Sequence, residues 1–205
     1  MLSGLYAITD PQLIPGDALL PAVTAALRGG ARVIQYRDKS HDVARRRTQA
    51  AALVELCRHH DALLIVNDDV ELAAEVGASG VHLGRDDADL HAARTRLGTT
   101  AIIGMSCYNQ LTRAQAAADA GANYVAFGRF FPSLTKPDAL AAEPDLLRAA
   151  RRALALPLVA IGGITPDNGG PLIEAGADML AVIHGVFGQP DIEAAARRFA
   201  DLFPP

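Results

Sequence analysis

Cysteine is scarce in this sequence, which contains only Cys57 and Cys107. Two cysteines cannot build the disulfide framework that stabilises many small secreted domains. Neither a Cys-x-x-Cys pair nor a His-rich spacing accompanies them, so a structural zinc site is not indicated. With 50% hydrophobic and 20% charged residues, the composition is that of an ordinary globular protein.

An excess of positive charge and long apolar runs are also missing. A net charge of −4 and a pI near 5.8 argue against a general nucleic-acid or membrane-surface binder. The dense basic run Arg45 to Arg47 has no interleaved aromatic residues, so we interpret it as a solvated helix face. No apolar stretch approaches the roughly 18 residues of a membrane helix, and the first ten residues lack the basic start of a secretory signal. We therefore expect a cytoplasmic protein.

Lysine is the third scarce residue, because 17 of the 19 Lys and Arg side chains are arginine. The two lysines are Lys39 and Lys136. Where a surface needs only positive charge, this chain supplies arginine. The lysines are therefore candidates for chemistry that requires a compact ammonium group, with chance placement as the alternative.

Eight short apolar or β-branched runs recur along the 205 residues, and alanine-rich segments with helical periodicity lie between them. The alternation predicts parallel strands joined by helical crossovers. No Gly-x-Gly-x-x-Gly follows the first run, which favours a closed barrel over an open doubly wound sheet. We predict the α/β class and a single compact TIM (β/α)8 barrel over residues 1–205. The predicted strands are Leu5–Ile8, Val33–Tyr36, Leu63–Val66, Gly80–Leu83, Ile102–Met105, Tyr124–Phe127, Leu158–Ile161 and Leu180–Ile183.

Glycine and proline mark the ends of the predicted elements. Gly-Ala pairs begin at Gly30, Gly77, Gly121 and Gly176, each between a helix end and a strand. They precede every second strand, which is the four-fold quasi-repeat expected of paired βα units in a barrel. Thr165-Pro166 and Glu143-Pro144 each predict a helix start with proline at the first helical position.

Polar residues cluster where the predicted strands end, which is where barrels of this kind place their active sites. Gln35, Arg37 and Lys39 alternate and so share one face of the extended chain. The remaining clusters are Asn67-Asp68, Arg85-Asp86-Asp87, Ser106, the segment with Ser133, Thr135 and Lys136, Gly162-Gly163, and Ile183-His184. Taken singly, most of these have plainer explanations as solvated strand exits, turns or helix caps.

Together these residues describe two anion sites beside a metal. Arg37, Lys39 and Lys136 suit a multiply charged anion. Asp68 and Asp87 suit Mg²⁺, which binds one or two carboxylates together with phosphate oxygens and water. Backbone N–H groups after the seventh and eighth strands suit a single phosphate. The residues alone do not identify the organic groups of the ligands.

At these residues the sequence resembles the thiamine phosphate synthase family over nearly its whole length. Leu5-Tyr-Ala-Ile-Thr-Asp10 is similar to the family's first strand, and Gln35-Tyr-Arg-Asp-Lys39 is similar to its diphosphate-binding strand. The other similar segments are Asn67-Asp68, Val81–Asp87, Gly104–Ser106, Tyr124–Gly128, Phe131–Lys136 and Ala160–Ile164. No single segment is decisive, but their occurrence in register along one compact barrel is strong evidence.

The resemblance implies a Mg²⁺-assisted condensation of 4-amino-2-methyl-5-hydroxymethylpyrimidine diphosphate with 4-methyl-5-hydroxyethylthiazole phosphate, giving thiamine phosphate and diphosphate. It implies that Asp68 and Asp87 hold Mg²⁺ and that Arg37, Lys39, Ser106 and Lys136 are catalytic. The implied pyrimidine diphosphate site is Gln35, Arg37, Lys39, Asn67, Ser106 and Lys136. The implied thiazole phosphate site is Ser133, Thr135, Gly163, Ile183 and His184.

The chain departs from the family where His184 stands in place of a common serine. Binding of a phosphate by backbone N–H groups at that point would tolerate the change. Two alternatives remain from the sequence: a thiazole tautomerase with the same barrel, and a non-catalytic sensor of a phosphate ligand. The partners expected are small-molecule substrates, and the sequence leaves a homo-oligomer open.

Overall fold

The structure is a computed structural model that describes residues 2–84, 89–132 and 141–204. Eight parallel strands form a closed barrel in which each strand pairs with the next along the chain and the last pairs with the first. The predicted barrel is confirmed. The strands are β1 (Gly4–Ile8), β2 (Ala31–Tyr36), β3 (Leu63–Asn67), β4 (Gly80–Leu83), β5 (Ile102–Tyr108), β6 (Tyr124–Phe127), β7 (Leu158–Ile161) and β8 (Met179–Val182).

Helices connect the strands and surround the barrel. Among the described residues, no helix is both long enough and apolar enough to cross a membrane. A short 3₁₀ helix at Gly16–Ala18 precedes the first α-helix. The α-helices are α1 (Leu19–Arg28), α2 (Val43–His59), α3 (Val70–Val76), α4 (Leu90–Leu97), α5 (Leu111–Asp119), α6 (Pro144–Ala153), α7 (Pro166–Glu174), α8 (His184–Phe187) and α9 (Ile192–Ala200).

The helix starts follow local capping chemistry. Helices α6 and α7 begin at Pro144 and Pro166, as the sequence predicts. The carboxylate of Asp42 accepts a hydrogen bond from the backbone N–H of Arg45 at 3.0 Å and so caps α2. Aspartates cap α3 and α9 in the same way.

Three strands end differently from the prediction, and all three differences lie at the C-terminal end of the barrel. Strand β3 runs one residue farther than predicted, to Asn67. Strand β8 stops at Val182 because Ile183 leaves the extended conformation (φ −108°, ψ −83°) and begins the turn into α8. Strand β5 continues to Tyr108 through a bulge after Ser106. The bulge places Tyr108 opposite Phe127, one residue less far along β6 than an even register would.

The buried residues form two clusters, one between barrel and helices and one inside the barrel. The outer cluster is built from aliphatic residues of the strands and of the inner helix faces. The inner cluster is built from inward-facing residues of six of the eight strands, and it contains Tyr6, Ile8, Val33, Ile65, Tyr124, Ala126, Val159, Met179 and Ala181. A filled interior of this kind makes the barrel a solid support for groups at its ends.

At three of the four Gly-Ala pairs, a side-chain hydrogen bond joins the N-terminal ends of two neighbouring strands. All four glycines have positive φ, as a residue that closes a helix requires. The residue after three of the pairs, Ser79, Asn123 or Asp178, accepts a hydrogen bond from a backbone N–H of the preceding strand, at 3.2, 2.8 and 2.7 Å. Arg94 of α4 also binds Asn123, at 2.7 Å, and Arg151 of α6 binds Asp178. The four-fold repeat therefore has a physical basis in paired βα units.

Replacement of Asn123 by alanine tests how much this hydrogen bond between neighbouring strands stabilises the fold. Asn123→Ala leaves the backbone N–H of Ile103 without its acceptor and removes one contact of Arg94, so we expect the free energy of unfolding to fall by about 1–3 kcal/mol. Urea denaturation measures the change. Asn109→Ala is the control, since Asn109 makes a longer, exposed hydrogen bond of 3.3 Å to Ala141. An Asn123→Ala protein as stable as the wild type would contradict this account.

Candidate functional site

One cavity of about 370 Å³ opens at the C-terminal ends of the strands. It is lined by side chains and backbone from all parts of the chain, because barrel closure brings the strand ends to one mouth. Seven of the residues predicted to bind substrate line it: Gln35, Arg37, Asn67, Ser106, Gly163, Ile183 and His184. Their individual roles stay predictions.

Strand β2 and the segment that follows it carry three of the predicted side chains, with increasing exposure. Gln35 lies in the strand and is buried, and Arg37, just after the strand, is half-buried. The Lys39 side chain is 63% exposed. The backbone N–H of Arg37 donates to the hydroxyl of Thr9 at 2.9 Å, which ties the exit of β2 to the exit of β1. The alternation predicted for these residues places amide, guanidinium and ammonium groups in sequence from the barrel interior toward solvent.

Lys39 and Asp68 form an ion pair at this mouth, with Nζ and Oδ2 3.3 Å apart. Asp68 directly follows the lining residue Asn67 and has a left-handed backbone (φ 63°), which non-glycine residues adopt infrequently. Asp69 is the residue that caps α3, and it also accepts a hydrogen bond from Arg46 at 2.7 Å. The helix-cap explanation therefore accounts for Asp69 and leaves the Asp68 carboxylate for another role.

Four predicted site residues lie outside the described residues: Asp87, Ser133, Thr135 and Lys136. Within the part of the chain that the structure describes, no three His, Cys, Asp or Glu side chains converge in a way that could hold a metal ion. The carboxylate of Asp68 is the one predicted metal ligand whose position is given. Mg²⁺ needs only one or two carboxylates when phosphate oxygens and water complete its shell.

The opposite side of the cavity contains a glycine-rich segment of backbone. Gly162 and Gly163 follow β7 with φ of 105° and 62°. A methyl group at Gly163 would overlap the Pro132 carbonyl oxygen and Phe131, so this close approach of two loops requires glycine. Ile183 and His184 come from the turn after β8, and the His184 ring is exposed and packs against Gly188. This side offers peptide groups together with the side chains of Arg129, Thr165, His184 and Gln189.

Several lining residues were not singled out from the sequence, among them Tyr6, Tyr108, Arg129 and Gln189. From its position in the middle of the fourth predicted strand, we expect His82 to be a satisfied interior histidine rather than a catalyst. It is 9% exposed, and both ring nitrogens face hydroxyl groups, Nδ1 that of Tyr124 at 3.0 Å and Nε2 that of Ser106 at 2.9 Å. His82 also lines the cavity, which the interior position alone did not predict. The sequence does carry a signal for these residues, because side chains alternate along a strand and Tyr6 and His82 both occupy inward-facing positions.

Burial controls the protonation of the phenol and thiol groups nearby. Desolvation raises the pKa of Tyr6 and of Tyr124 well above the usual value for a phenol, so both are uncharged at neutral pH. Burial also raises the pKa of Cys57 and of Cys107 to about 12. Because the thiolate is the nucleophile, neither cysteine is suited to covalent catalysis.

The reactivity of the two cysteines tests this assignment. Neither thiol should react with an aromatic disulfide reagent at pH 8 in the native protein, since pH 8 lies far below a pKa of about 12 and both groups are buried. Unfolding in guanidinium should release two reactive thiols per chain. Rapid reaction of one thiol in the folded protein would show that a cysteine is accessible and activated.

Comparison with known proteins identifies what this chain is similar to. A sequence model of the thiamine monophosphate synthase family matches residues 5–186. The chain is 56% identical over 203 residues to a protein of Nitrosococcus oceani named thiamine-phosphate synthase, covering 99% of this chain and 94% of that one. It is 55% identical over 206 residues to a protein of the same name from Acidithiobacillus ferrooxidans, with 99% and 95% covered. Its fold matches the thiamine phosphate pyrophosphorylase structure from Pyrococcus furiosus with a TM-score of 0.89 and 36% identity, covering 97% and 94% of the two chains.

Proposed function

This chain belongs to the thiamine monophosphate synthase family and is a transferase, and on that premise we propose its substrates and the roles of its residues. The enzyme joins 4-amino-2-methyl-5-hydroxymethylpyrimidine diphosphate to 4-methyl-5-hydroxyethylthiazole phosphate and releases diphosphate. The observation that carries the proposal is the cavity at the C-terminal ends of the strands, which brings Gln35, Arg37, Asn67 and Ser106 together with the glycine-rich backbone that follows β7. The proposal keeps two expectations from the sequence, one domain over residues 1–205 and a cytoplasmic location.

The pyrimidine diphosphate binds at the end of the cavity that is lined by Gln35, Arg37, Asn67 and Ser106. Gln35 and Asn67 carry amide groups that pair with donor and acceptor atoms of the pyrimidine ring. Arg37 binds diphosphate oxygens through its fork of N–H groups, and Lys39 contributes a point charge at the mouth. Lys136 adds a second ammonium group in this proposal. Ser106 contributes a hydroxyl group to the same ligand.

The donor groups at this end fit a hard cation. Asp68 presents carboxylate oxygens beside the amide of Asn67, and these are ligand types that Mg²⁺ accepts. The ammonium of Lys39 already lies 3.3 Å from Asp68, so positive charge is stabilised at this carboxylate. Asp68 and Asp87 would hold Mg²⁺, which when bound supplies positive charge to the leaving diphosphate. Arg37, Lys39 and Lys136 share that task from the protein side.

Bond cleavage in this reaction requires no protein nucleophile. The bond between the pyrimidine methylene carbon and the diphosphate oxygen breaks, and its electron pair leaves with the diphosphate. The electron-rich aminopyrimidine ring stabilises the positive charge on the methylene carbon. The thiazole nitrogen then donates its lone pair to that carbon and forms the new C–N bond. The neutral, buried thiols of Cys57 and Cys107 agree with a mechanism of this kind.

The backbone-rich end positions the thiazole. Peptide groups near Gly163 and Ile183 hold the phosphate, and the exposed ring of His184 lies beside them. Ser133 and Thr135 add hydroxyl groups in this proposal. Because the phosphate is bound far from the reacting nitrogen, it fixes the ring without entering the reaction. Orientation of the nitrogen toward the methylene carbon accounts for the contribution of this end to the rate.

Release of diphosphate tests the proposed reaction. The purified protein with Mg²⁺ and both substrates should release one diphosphate for each thiamine phosphate formed, and removal of either substrate should abolish release. Chelation of Mg²⁺ should suppress the rate, and added Mg²⁺ should restore it. Isomerisation of a thiazole without diphosphate release would support the tautomerase alternative, and ligand binding without turnover would support the sensor. Either result would contradict the proposal.

Substitution of Gly163 tests the proposed thiazole phosphate site separately. Gly163→Ala places a methyl group against the Pro132 carbonyl at a backbone with φ 62°, so the loop must shift. We expect the KM for the thiazole phosphate to rise by roughly tenfold or more, which corresponds to about 1.4 kcal/mol, while the KM for the pyrimidine diphosphate stays near wild type.

Gly170→Ala is the matched control, because Gly170 lies in α7 and a methyl group there meets no atom within 4 Å. Steady-state kinetics on both variants make the comparison. An equal rise in both KM values for Gly163→Ala would remove Gly163 from the phosphate site and assign it a general structural role.

A further inference from the structure

A chain of hydrogen bonds inside the barrel joins two of the predicted substrate-binding side chains. Gln35 Nε2 donates to the hydroxyl of Tyr6 at 2.7 Å, and the hydroxyls of Tyr6 and Tyr124 are 2.8 Å apart. The chain continues from Tyr124 to His82 Nδ1 at 3.0 Å and from His82 Nε2 to Ser106 at 2.9 Å. Gln35 and Ser106, its two ends, both line the cavity.

The three middle members of this chain are fixed by packing. Tyr6 and Tyr124 are each 1% exposed and meet edge to face, with ring centroids 6.0 Å apart. The His82 ring stacks on Tyr124 at 5.6 Å with an angle of 19° between the planes. A methyl group at Gly104 would overlap the Tyr124 ring, so glycine on β5 provides the space that the tyrosine occupies. These contacts restrain the two phenols and the imidazole.

The donor-to-acceptor direction of these hydrogen bonds follows from the number of protons that the two phenols can donate. Both phenols are uncharged at neutral pH because burial raises the pKa of each, so each has one proton to donate. The Tyr6 oxygen accepts from Gln35, and among the described residues its other hydrogen-bond partner is Tyr124. Tyr6 therefore donates to Tyr124, because a buried donor without an acceptor destabilises the fold.

The same counting of protons sets the direction of the hydrogen bonds from Tyr124 to His82 and from His82 to Ser106. Tyr124 receives the proton of Tyr6, so its own proton points to Nδ1 of His82. Nδ1 is then the acceptor, and the imidazole is neutral with its proton on Nε2. Nε2 donates to the oxygen of Ser106, and the Ser106 proton is directed away from His82.

We propose that Tyr6, Tyr124 and His82 are positioning residues that set the hydrogen-bond direction of Gln35 and Ser106 toward the cavity. Gln35 keeps its carbonyl oxygen and one N–H, an acceptor and a donor side by side that match the amino group and ring nitrogen of an aminopyrimidine. Ser106 presents a donor, which suits an anionic phosphate oxygen. If the hydrogen bonds ran in the opposite direction, Ser106 would present an acceptor to that anion and would repel it. This assignment rests on the proposed function.

The protonation of His82 is the direct readout and requires no variant for its main result. In protein labelled with ¹⁵N-histidine, imidazole nitrogen shifts at pH 7 should show an unprotonated Nδ1 and a protonated Nε2 for His82. His82→Gln identifies the signal among the six histidines. Tyr124→Phe should remove the bias between the two nitrogens. A proton on Nδ1 in the wild type, or no response to Tyr124→Phe, would overturn the assignment.

A double-mutant cycle distinguishes positioning from a general structural role. Tyr124→Phe should lower kcat by roughly tenfold or more in the wild-type background and less than about twofold in the Ser106→Ala background, because the chain acts through Ser106. Equal losses in both backgrounds would show that Tyr124 acts independently of Ser106 and would contradict the proposal.

Tyr36→Phe is the matched control, since the Tyr36 hydroxyl bonds Gln49 at 2.9 Å and lies outside the chain. Its kcat should equal that of the wild type. Thermal unfolding of each variant checks that the barrel is intact. Absence of turnover in the wild type would refute the proposed function, while the ¹⁵N measurement would still decide the direction of the chain.

Discussion

Pairing of β1 with β8 is the constraint on which the rest of the molecule depends. Four registered residue pairs, from Gly4 with Met179 to Ala7 with Val182, close the sheet. Without this ladder, residues of the first strands and residues of the last would lie at opposite edges of an open sheet. With it, Gln35 and Gly163 line one cavity although they are far apart along the chain. Closure also buries Tyr6 and Tyr124 against each other inside the barrel.

The two ends of the barrel divide stability and chemistry between them. At the N-terminal ends of the strands, Asn123 and Asp178 bind backbone N–H groups and arginines of the surrounding helices. At the C-terminal ends, polar groups are left with conformations that cost energy, such as the left-handed Asp68 and Tyr108. A rigid base and a filled interior allow the opposite end to hold such groups in place. In our proposal this separation permits positive charge to be concentrated where a diphosphate leaves.

Much of the fold could be predicted from sequence because its signals are local. The strand cores and the proline starts of α6 and α7 follow from periodicity and capping, and the Gly-Ala pairs precede alternate strands as predicted. The end of β8 at Val182 and the bulge in β5 could not be predicted, since they depend on the turn into α8 and on pairing with β6. The assignment of residues 1–205 to one domain stays a prediction.

The candidate site was predictable only in part, for a related reason. Alternation along the extended chain predicted that Gln35 in β2 and Arg37 just after it share one face, and both line the cavity. The hydrogen bond between Tyr6 and Tyr124 joins residues 118 positions apart, and no periodicity encodes it. The ion pair of Lys39 with Asp68 likewise depends on two neighbouring strand exits. Sequence identifies which strand ends carry polar groups, while contacts among them come from the closed barrel.

The central claim is that one cavity holds both halves of the product at the same time. A crystal structure of the protein with Mg²⁺, thiamine phosphate and diphosphate tests it most directly. The account predicts the pyrimidine ring within hydrogen-bond distance of Gln35 and the phosphate of the same molecule at the backbone of Gly163. Density for the pyrimidine and phosphate groups at separate places on the protein, or outside this cavity, would contradict it.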